Sequence, residues 1–300
     1  MTAPPWQDTA HHAEKPRGLR IAITGASGTI GSRVARILAP DHHVRSLTRT
    51  PADAARAKVA GQIVGADLDD RPGLQQAIAG ADALLLITFD PHRSTHDANA
   101  LAAAEAAGVR HIVKISASAV NDPGSQDLIT AWQRRCETQL KSTGLSWTLL
   151  RSRAYMSNTL GWAPSIRKEG VVRSLYGTSL NACIDPQDVA QAAASALTDP
   201  RHAGRAYTLT GPQALSAQEQ TRHLGDVLQK PLRYEELTEE QALRRWRRRF
   251  PEPVAQAMLV RARRQAEGVK TEVADGLRQV TGRGAHTYQA WAAHHSADFR

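Results

Sequence analysis

The stretch Ile21-Ala22-Ile23-Thr24-Gly25-Ala26-Ser27-Gly28-Thr29-Ile30-Gly31-Ser32 reads as an apolar strand, a Gly-x-x-Gly-x-x-Gly turn and the start of a helix. In such a turn Gly25 lets the chain leave the strand sharply, Gly28 lets the backbone approach a pyrophosphate, and Gly31 lets the helix pack on the sheet. The turn is also expected to need a positive φ at Gly28. The helix N-terminus offers free N–H groups to phosphate. We predict a dinucleotide site at Gly25, Ser27, Gly28, Thr29, Ile30 and Gly31.

The second predicted strand, residues 43–49, ends in Thr48-Arg49 without an acidic residue. A carboxylate at this position binds the ribose hydroxyls of NAD, whereas an arginine accommodates the additional 2′-phosphate of NADP. Arg49 therefore favours NADP(H) as the cofactor. The alternative is that Arg49 is only a solvated residue at the end of a strand.

Alternating strand and helix patterns continue as far as residue 152 and predict an α/β fold with a doubly wound parallel sheet. The predicted strands are residues 21–23, 43–49, 62–67, 83–88, 111–116 and 146–151. Residues 19–152 are interpreted as an NAD(P)-binding Rossmann domain. Residues 153–300 are interpreted mainly as a smaller C-terminal substrate lobe, with segments that return to the sheet.

Length and cysteine content narrow the class of protein. The 300 residues include two cysteines, Cys136 and Cys183, whose separation matches neither a metal site nor a redox pair. No apolar stretch approaches the roughly 20 residues of a membrane span, and residues 1–18 lack the apolar core of a secretion signal. We expect a cytoplasmic protein with no membrane partner and a disordered tail over residues 1–18.

The net charge of +9 is distributed unevenly, because eight arginines lie between Arg244 and Arg264. A basic segment can be a solvated helix face, a surface for a partner or an acidic ligand, or a nucleic-acid site. We favour the solvated face and do not expect nucleic-acid binding. A homodimer or a protein partner stays open.

Further motifs resemble the NmrA-like branch of the atypical short-chain dehydrogenase/reductases, over about residues 19–298. They are residues 25–31, 44–49, 65–70, 143–151, 155–158, 184–190, 204–211 and 281–283. The resemblance implies that Asp67 and Leu68 lie against an adenine. It also implies that Thr88 and Phe89 lie near the ribose and diphosphate, and that Ser116, Ala117 and Ser118 lie near the nicotinamide.

The chain departs from ordinary short-chain reductases in its proton donor. Those enzymes use a Tyr-x-x-x-Lys pair, but no tyrosine here is followed by lysine four positions later. Similar reductases commonly carry Lys or His four residues before a glutamate; here Glu137 matches and Gln133 takes the other place. Glutamine can hydrogen-bond a carbonyl or a ribose, but it cannot act as a general acid.

Two other side chains are candidates for proton transfer. Tyr155 follows the sixth strand at the edge where a substrate is expected, and it is interpreted either as a proton donor or as pocket wall. His92 lies in the loop after the fourth strand, and histidine is a residue type suited to acid catalysis, although a solvated loop histidine is the simpler interpretation. His92 and His96 have helical spacing, but no third ligand is identifiable, so no metal is expected.

Residues after Tyr155 are candidates for the substrate cleft. Met156, Asn158 and Trp162 would give an apolar lining with one amide, or Met156 and Trp162 would simply pack in a core. Such a lining predicts a flat or hydrophobic substrate rather than a phosphate ester.

The combined pattern predicts an NADPH-dependent reductase of a quinone-like, enone or aromatic carbonyl small molecule, with a role in secondary metabolism as one setting. These substrates need little acid assistance, because the charge on the reduced oxygen is delocalised. One alternative is a non-catalytic NADP(H)-sensing regulatory protein that uses the Arg244 to Arg264 segment as its partner surface. Another is an isomerase or cyclase that holds NADP(H) without consuming it.

Overall fold

The computed structural model describes residues 18–300, so the predicted tail lies outside the described residues except for Gly18. The strands are β1 Arg20–Ile23, β2 His43–Thr48, β3 Gln62–Gly65, β4 Ala83–Leu86, β5 His111–Ala117, β6 Ser146–Ser152, β7 Val171–Ser174, β8 Arg205–Leu209 and β9 Arg233–Glu236. The helices are α1 Gly31–Leu38, α2 Pro51–Arg56, α3 Arg71–Ile78, α4 Thr95–Ala106, α5 Leu128–Ser142, α6 Ala163–Glu169, α7 Pro186–Thr198, α8 Ala217–Leu228, α9 Glu239–Arg247, α10 Glu252–Ala266, α11 Gly276–Thr281 and α12 Tyr288–His294.

Seven parallel strands form the central sheet in the order β3-β2-β1-β4-β5-β6-β8. The predicted α/β doubly wound fold is confirmed. The chain reverses its direction of strand addition between β1 and β4, and open parallel sheets bind ligands beyond the carboxyl ends of the strands at such a point. The glycine turn follows β1 directly and therefore lies there.

Both faces of the sheet are covered by helices. Helices α1, α7 and α11 pack on one face through residues such as Val34, Val189 and Leu277. Helices α3, α4 and α5 cover the other face, and all four residues of β4 are buried. This double burial explains why β4 reads as a continuous apolar run rather than an alternating one.

Segments after residue 152 divide between the sheet and a smaller lobe. Strand β8 pairs with β6 at the sheet edge, and α7 and α11 lie on the sheet. The lobe has its own core, which includes Met156, Ile166, Leu224, Tyr288 and Trp291. Its two-stranded parallel sheet, β7-β9, was not predicted, because β9 is a polar strand of four residues, Arg-Tyr-Glu-Glu. Helices α6 and α12 were also missed, and each spans only seven residues.

The arginines of the basic segment are mostly paired with carboxylates. Arg244 contacts Glu240 at 2.5 Å, Arg247 contacts Glu252 at 2.6 Å, and these side chains are exposed. This arrangement favours the solvated-face interpretation for α9. Arg261 instead turns inward toward the N-terminus of α5.

Within residues 18–300 there is no helix with the length and apolar content that crossing a membrane requires.

Candidate coenzyme and substrate site

The glycine turn has the geometry that a dinucleotide needs. Gly25 has a φ of 59°, and the amide of Gly28 donates to the carbonyl of Gly25 at 2.9 Å. A Cβ on Gly31 would overlap the Gly25 carbonyl and approach the Cα of Ala26 to 2.8 Å. Gly25 and Gly31 are therefore required by the backbone itself. The expectation of a positive φ at Gly28 is wrong, because the left-handed residue of this turn is Gly25.

The remaining predicted residues of the turn differ in what they can offer. Ser27 and Thr29 are exposed on the turn together with Gly28. The side chain of Ile30 is buried in the core beside α1, so Ile30 can meet a cofactor only through its backbone. The cradle thus presents small side chains and N–H groups, which fits a pyrophosphate.

Thr24 joins the two strands that flank the turn. Its hydroxyl donates to the carbonyl of Ile87 at 2.9 Å and accepts from the amide of Ile87 at 2.7 Å. The turn after β1 and the loop after β4 are thereby held at a fixed distance. Sequence reasoning missed this residue, because a threonine at a strand end has no distinctive pattern.

Arg49 lies beside the glycine turn and is available to a ligand. The amide of Ala26 donates to the carbonyl of Leu47 at 3.4 Å, which brings the end of β2 next to the turn. Arg49 is exposed and forms no hydrogen bond or ion pair with any residue between 18 and 300. A free guanidinium in this position fits a 2′-phosphate.

The loop after β3 is held by contacts from the next loop. The Asp67 carboxylate accepts from the amide of Asp69 at 3.0 Å, and Asn99 donates to the carbonyl of Leu68 at 2.8 Å. Arg93 also contacts Asp69 at 3.3 Å. Asn99 and Arg93 therefore fix the loop that the family resemblance assigns to the adenine, and neither was singled out from the sequence for that role.

A buried ion pair lies behind the loop after β4. Lys114 is paired with Asp97, and both side chains are 0% exposed. Thr88 donates to the other oxygen of Asp97 at 2.7 Å. The Lys114 ammonium also lies 5.7 Å from the centre of the Trp132 ring. The buried Lys114–Asp97 ion pair thus orients the Thr88 hydroxyl, and no sequence pattern indicated this pair.

Phe89 follows Thr88 in this loop and is largely exposed. It is 54% exposed, and its ring meets Trp132 edge-on at 5.6 Å between centroids. An exposed phenylalanine held by a buried tryptophan offers a rigid apolar surface to a ligand.

The end of β5 is organised by Glu137. Ser116 donates to Glu137 at 2.7 Å, and Arg151 binds the same carboxylate at 2.9 and 2.5 Å. Ala117 is the last residue of β5, and the buried Ser118 follows it. The hydroxyl proton of Ser116 is therefore committed to Glu137 and is not free to donate to a substrate.

Gln133 lies one turn before Glu137 and is incompletely satisfied. It is 8% exposed, and its Oε1 is buried without a hydrogen-bond partner in residues 18–300. An unsatisfied buried acceptor costs about 1–3 kcal/mol, which a donor on a bound ligand would remove. The orphaned oxygen, the glycine cradle and the free Arg49 all fit NADP(H).

Tyr155 is connected to Ser116 through Ser152. Ser152 donates to the carbonyl of Ser116 at 3.2 Å, so the Tyr155 hydroxyl, also 3.2 Å from Ser152, is the donor in that second contact. Burial raises the pKa of Tyr155, and the hydrogen bond to Ser152 lowers it only in part. The phenol lies in the expected region, but it is a weaker acid than a free tyrosine.

The other predicted catalytic and substrate residues differ in their exposure. His92 is exposed in its loop, and His96 faces Asp69 at 3.4 Å. Asn158 is exposed and Trp162 is half-buried. Met156 is 2% exposed and belongs to the core of the lobe, which agrees with the core-packing alternative.

Comparison with known proteins matches this chain to an NAD(P)H-binding family and to named reductases. A family model described as NAD(P)H-binding matches residues 25–200. The (4-alkanoyl-5-oxo-2,5-dihydrofuran-3-yl)methyl phosphate reductase of Streptomyces griseus is 44% identical over 279 residues, which cover 93% of this chain and 99% of that protein. The NAD(P)H azoreductase of Xenophilus azovorans is 33% identical over 283 residues, with 93% and 99% covered.

Among solved structures, the NADPH complex of the quinone oxidoreductase QOR2 from Escherichia coli superposes with a TM-score of 0.79. It is 27% identical, and the match covers 91% of this chain and 99% of that one. The protein is an NADPH-dependent oxidoreductase with NADP(H) as its cofactor and a small molecule as its substrate. The predicted resemblance is confirmed in fold by NmrA in complex with NADP, which is 16% identical with a TM-score of 0.74; the chain belongs to the NAD(P)H-binding family.

Proposed function

We propose that this protein reduces the carbon–carbon double bond of an enone of the acyl-dihydrofuranone class. The observation that carries the proposal is the weak acidity of the site: the Ser116 hydroxyl is committed to Glu137, Gln133 cannot act as a general acid, and burial raises the pKa of Tyr155. The Streptomyces relative is named for a 4-alkanoyl-5-oxo-2,5-dihydrofuran that also carries a phosphate ester. The proposal for this chain concerns the alkene.

The chemistry of that alkene suits such a site. NADPH, held by the glycine turn and Arg49, would supply a hydride to the alkene carbon that lies β to both carbonyl groups. The negative charge is then shared by the alkanoyl and lactone oxygens, and the carbon between them can take its proton from water. Neutral hydrogen-bond donors are sufficient to stabilise a charge that is already delocalised.

The residues of the site therefore orient the substrate and shield it from solvent, and they do not donate protons to it. The amide of Gln133 can hydrogen-bond a carbonyl or the cofactor ribose, and the Tyr155 phenol, held through Ser152 near the end of β5, serves as pocket wall. The exposed ring of Phe89 offers an apolar surface to the substrate. Two unpaired cysteines, Cys136 and Cys183, fit a reducing cytoplasm as the location.

The test is NADPH oxidation with three substrates: a 4-alkanoyl-2,5-dihydrofuran-5-one, a benzoquinone and an aromatic ketone. We expect kcat/KM to be at least about tenfold higher for the dihydrofuranone, a difference of about 1.4 kcal/mol in the barrier. Preference for the ketone would contradict the proposal. Tight NADPH binding with no turnover would favour the sensing alternative, and product without NADPH loss would favour an isomerase or cyclase.

Tyr155→Phe is expected to change kcat by less than about threefold, because the phenol is a wall and not the proton donor. His92→Gln serves as the matched variant in the exposed loop and should be equally mild. Steady-state kinetics on the dihydrofuranone measure both. A fall in kcat of about 10²-fold in the tyrosine variant, with KM unchanged, would identify the hydroxyl as a general acid instead.

Arg49→Ala is expected to weaken NADPH binding by roughly 10- to 150-fold, the range for losing one charge-assisted contact, and to leave NADH nearly unchanged. Calorimetric titration with each cofactor measures the effect. Arg56→Ala is the control, since Arg56 is an exposed arginine paired with Asp53 on α2. Equal losses for NADPH and NADH would show that Arg49 does not read the 2′-phosphate.

A further inference from the structure

Three positively charged side chains from separate segments lie close enough to influence one another electrostatically. Arg153 directly follows β6, Arg261 lies in α10, and Lys270 lies in the loop after α10. Lys270 Nζ donates to the carbonyl of Arg261 at 2.9 Å. Arg261 in turn donates to the hydroxyl of Thr130, in the first turn of α5, at 3.1 Å.

The negative charge around this cluster is insufficient. Arg153 is 8% exposed, and its Nε is buried with no hydrogen-bond partner in the part of the chain that is described. Asp127 lies 3.8 Å from Arg261, but its carboxylate already accepts from the amides of Ile129 and Thr130 as the cap of α5. A buried guanidinium without a partner is costly, so the cluster favours an anion that is not part of the chain.

The acid–base properties of the cluster agree with its geometry. Burial lowers the pKa of Arg153 and of Arg261, although Glu272 opposes the change at Arg153 and Asp127 at Arg261. Burial lowers the pKa of Lys270 to about 7, with further lowering by Arg261 and Arg153. A bound anion would reverse this effect and cause Lys270 to take up a proton.

The cluster lies next to the residues already assigned to the site. Arg153 is two residues before Tyr155, and Thr130 is one helical turn before Gln133. Arg261 remains 26% exposed, so the cluster can be reached from solvent.

We propose that Arg153, Arg261 and Lys270 form a subsite for a phosphate monoester carried by the substrate. The inference rests on the proposed function, since it specifies one end of the molecule that the same site reduces. A phosphate monoester offers three oxygens and nearly two negative charges, which match two guanidinium groups and one ammonium. It replaces the sequence-based expectation that the substrate is not a phosphate ester.

A matched pair of substrates tests the subsite: a 4-alkanoyl-dihydrofuranone with a methyl phosphate group, and the same molecule with a free hydroxymethyl group. Arg153→Met and Lys270→Met should each raise KM for the phosphate ester by roughly 10- to 150-fold and change KM for the alcohol by less than about threefold. Arg263→Met is the control, because Arg263 is an exposed arginine on α10 that pairs with Glu239.

A binding measurement separates the subsite from catalysis. With the protein saturated by NADP+, which occupies the cofactor's own phosphate sites, inorganic phosphate should raise Tm, and at pH 8 its binding should be accompanied by proton uptake. Both effects should be lost in Lys270→Met and kept in Arg263→Met. Because Tm and proton uptake are measured on Lys270→Met and Arg263→Met, the test stays informative even if Arg153→Met does not fold.

The outcomes distinguish the two proposals. Equal KM changes for ester and alcohol, together with no effect of phosphate on Tm, would overturn the subsite and leave the reductase function intact. Absence of turnover with either substrate, while phosphate still raises Tm through Lys270, would overturn the reductase function and support the subsite.

Discussion

Lys114→Met is expected to lower the free energy of unfolding by about 3–5 kcal/mol, because it leaves the buried carboxylate of Asp97 without its partner. Both side chains are fully buried, and Asp97 also accepts from Thr88. Urea unfolding of the apoprotein measures the change. A loss below about 1 kcal/mol, the value typical of exposed pairs, would contradict the importance assigned to this pair.

The double variant Lys114→Met with Asp97→Leu is the informative control. Replacing both charges with apolar groups of similar size removes the unpaired carboxylate, so much of the stability should return. Thr88 would still lose its acceptor, and NADPH affinity should then stay below that of the wild type. Recovery of stability without recovery of affinity would separate the structural role of the pair from its effect on the loop after β4.

Gly28→Val is expected to weaken NADPH binding by on the order of 100-fold or more, about 2.7 kcal/mol, while the protein stays folded. Gly28 has no positive φ, and a Cβ there would lie 3.2 Å from the carbonyl of Gly25, a contact that a small shift can relieve. The branched side chain would instead occupy the space that the pyrophosphate needs. Calorimetric titration with NADPH measures the loss.

Gly144→Ala provides the control for this substitution, since an added Cβ at Gly144 meets nothing within 4 Å. It should bind NADPH like the wild type. If Gly28→Val kept micromolar affinity in a well-folded protein, the dinucleotide would have to lie elsewhere.

Much of the sheet could be predicted from sequence because its signals are local. The apolar run at β4 and the glycine turn after β1 each occupy a few consecutive residues, and burial or backbone geometry dictates their composition. The paired strands β7 and β9 have no such signal. They are four residues long, partly exposed, and depend on pairing between segments about 60 residues apart.

Residues of the candidate site divide in the same way, into those with a local sequence signal and those without one. Arg49 was identified because its position after β2 has a known chemical meaning. Thr24 and Asn99 were not, because their roles come from hydrogen bonds to residues more than 30 positions away. Arg153 and Lys270 lie more than 100 positions apart, and neither belongs to a motif on its own. These two residues stand out only through their burial and, for Arg153, through a missing hydrogen-bond partner, and both features require a structure to be seen.

The return of the chain from the lobe to the sheet has a consequence for engineering. Strand β8 closes the edge next to β6, and α7 and α11 complete one face, although all three follow residue 152 in sequence. A fragment that ends at residue 152 would lack one edge strand and two covering helices, and it should not fold by itself. Substrate specificity therefore cannot be transplanted between relatives by joining two halves at that point. Exchange of individual surface segments, such as α9 and α10, is the better route to chimeric enzymes.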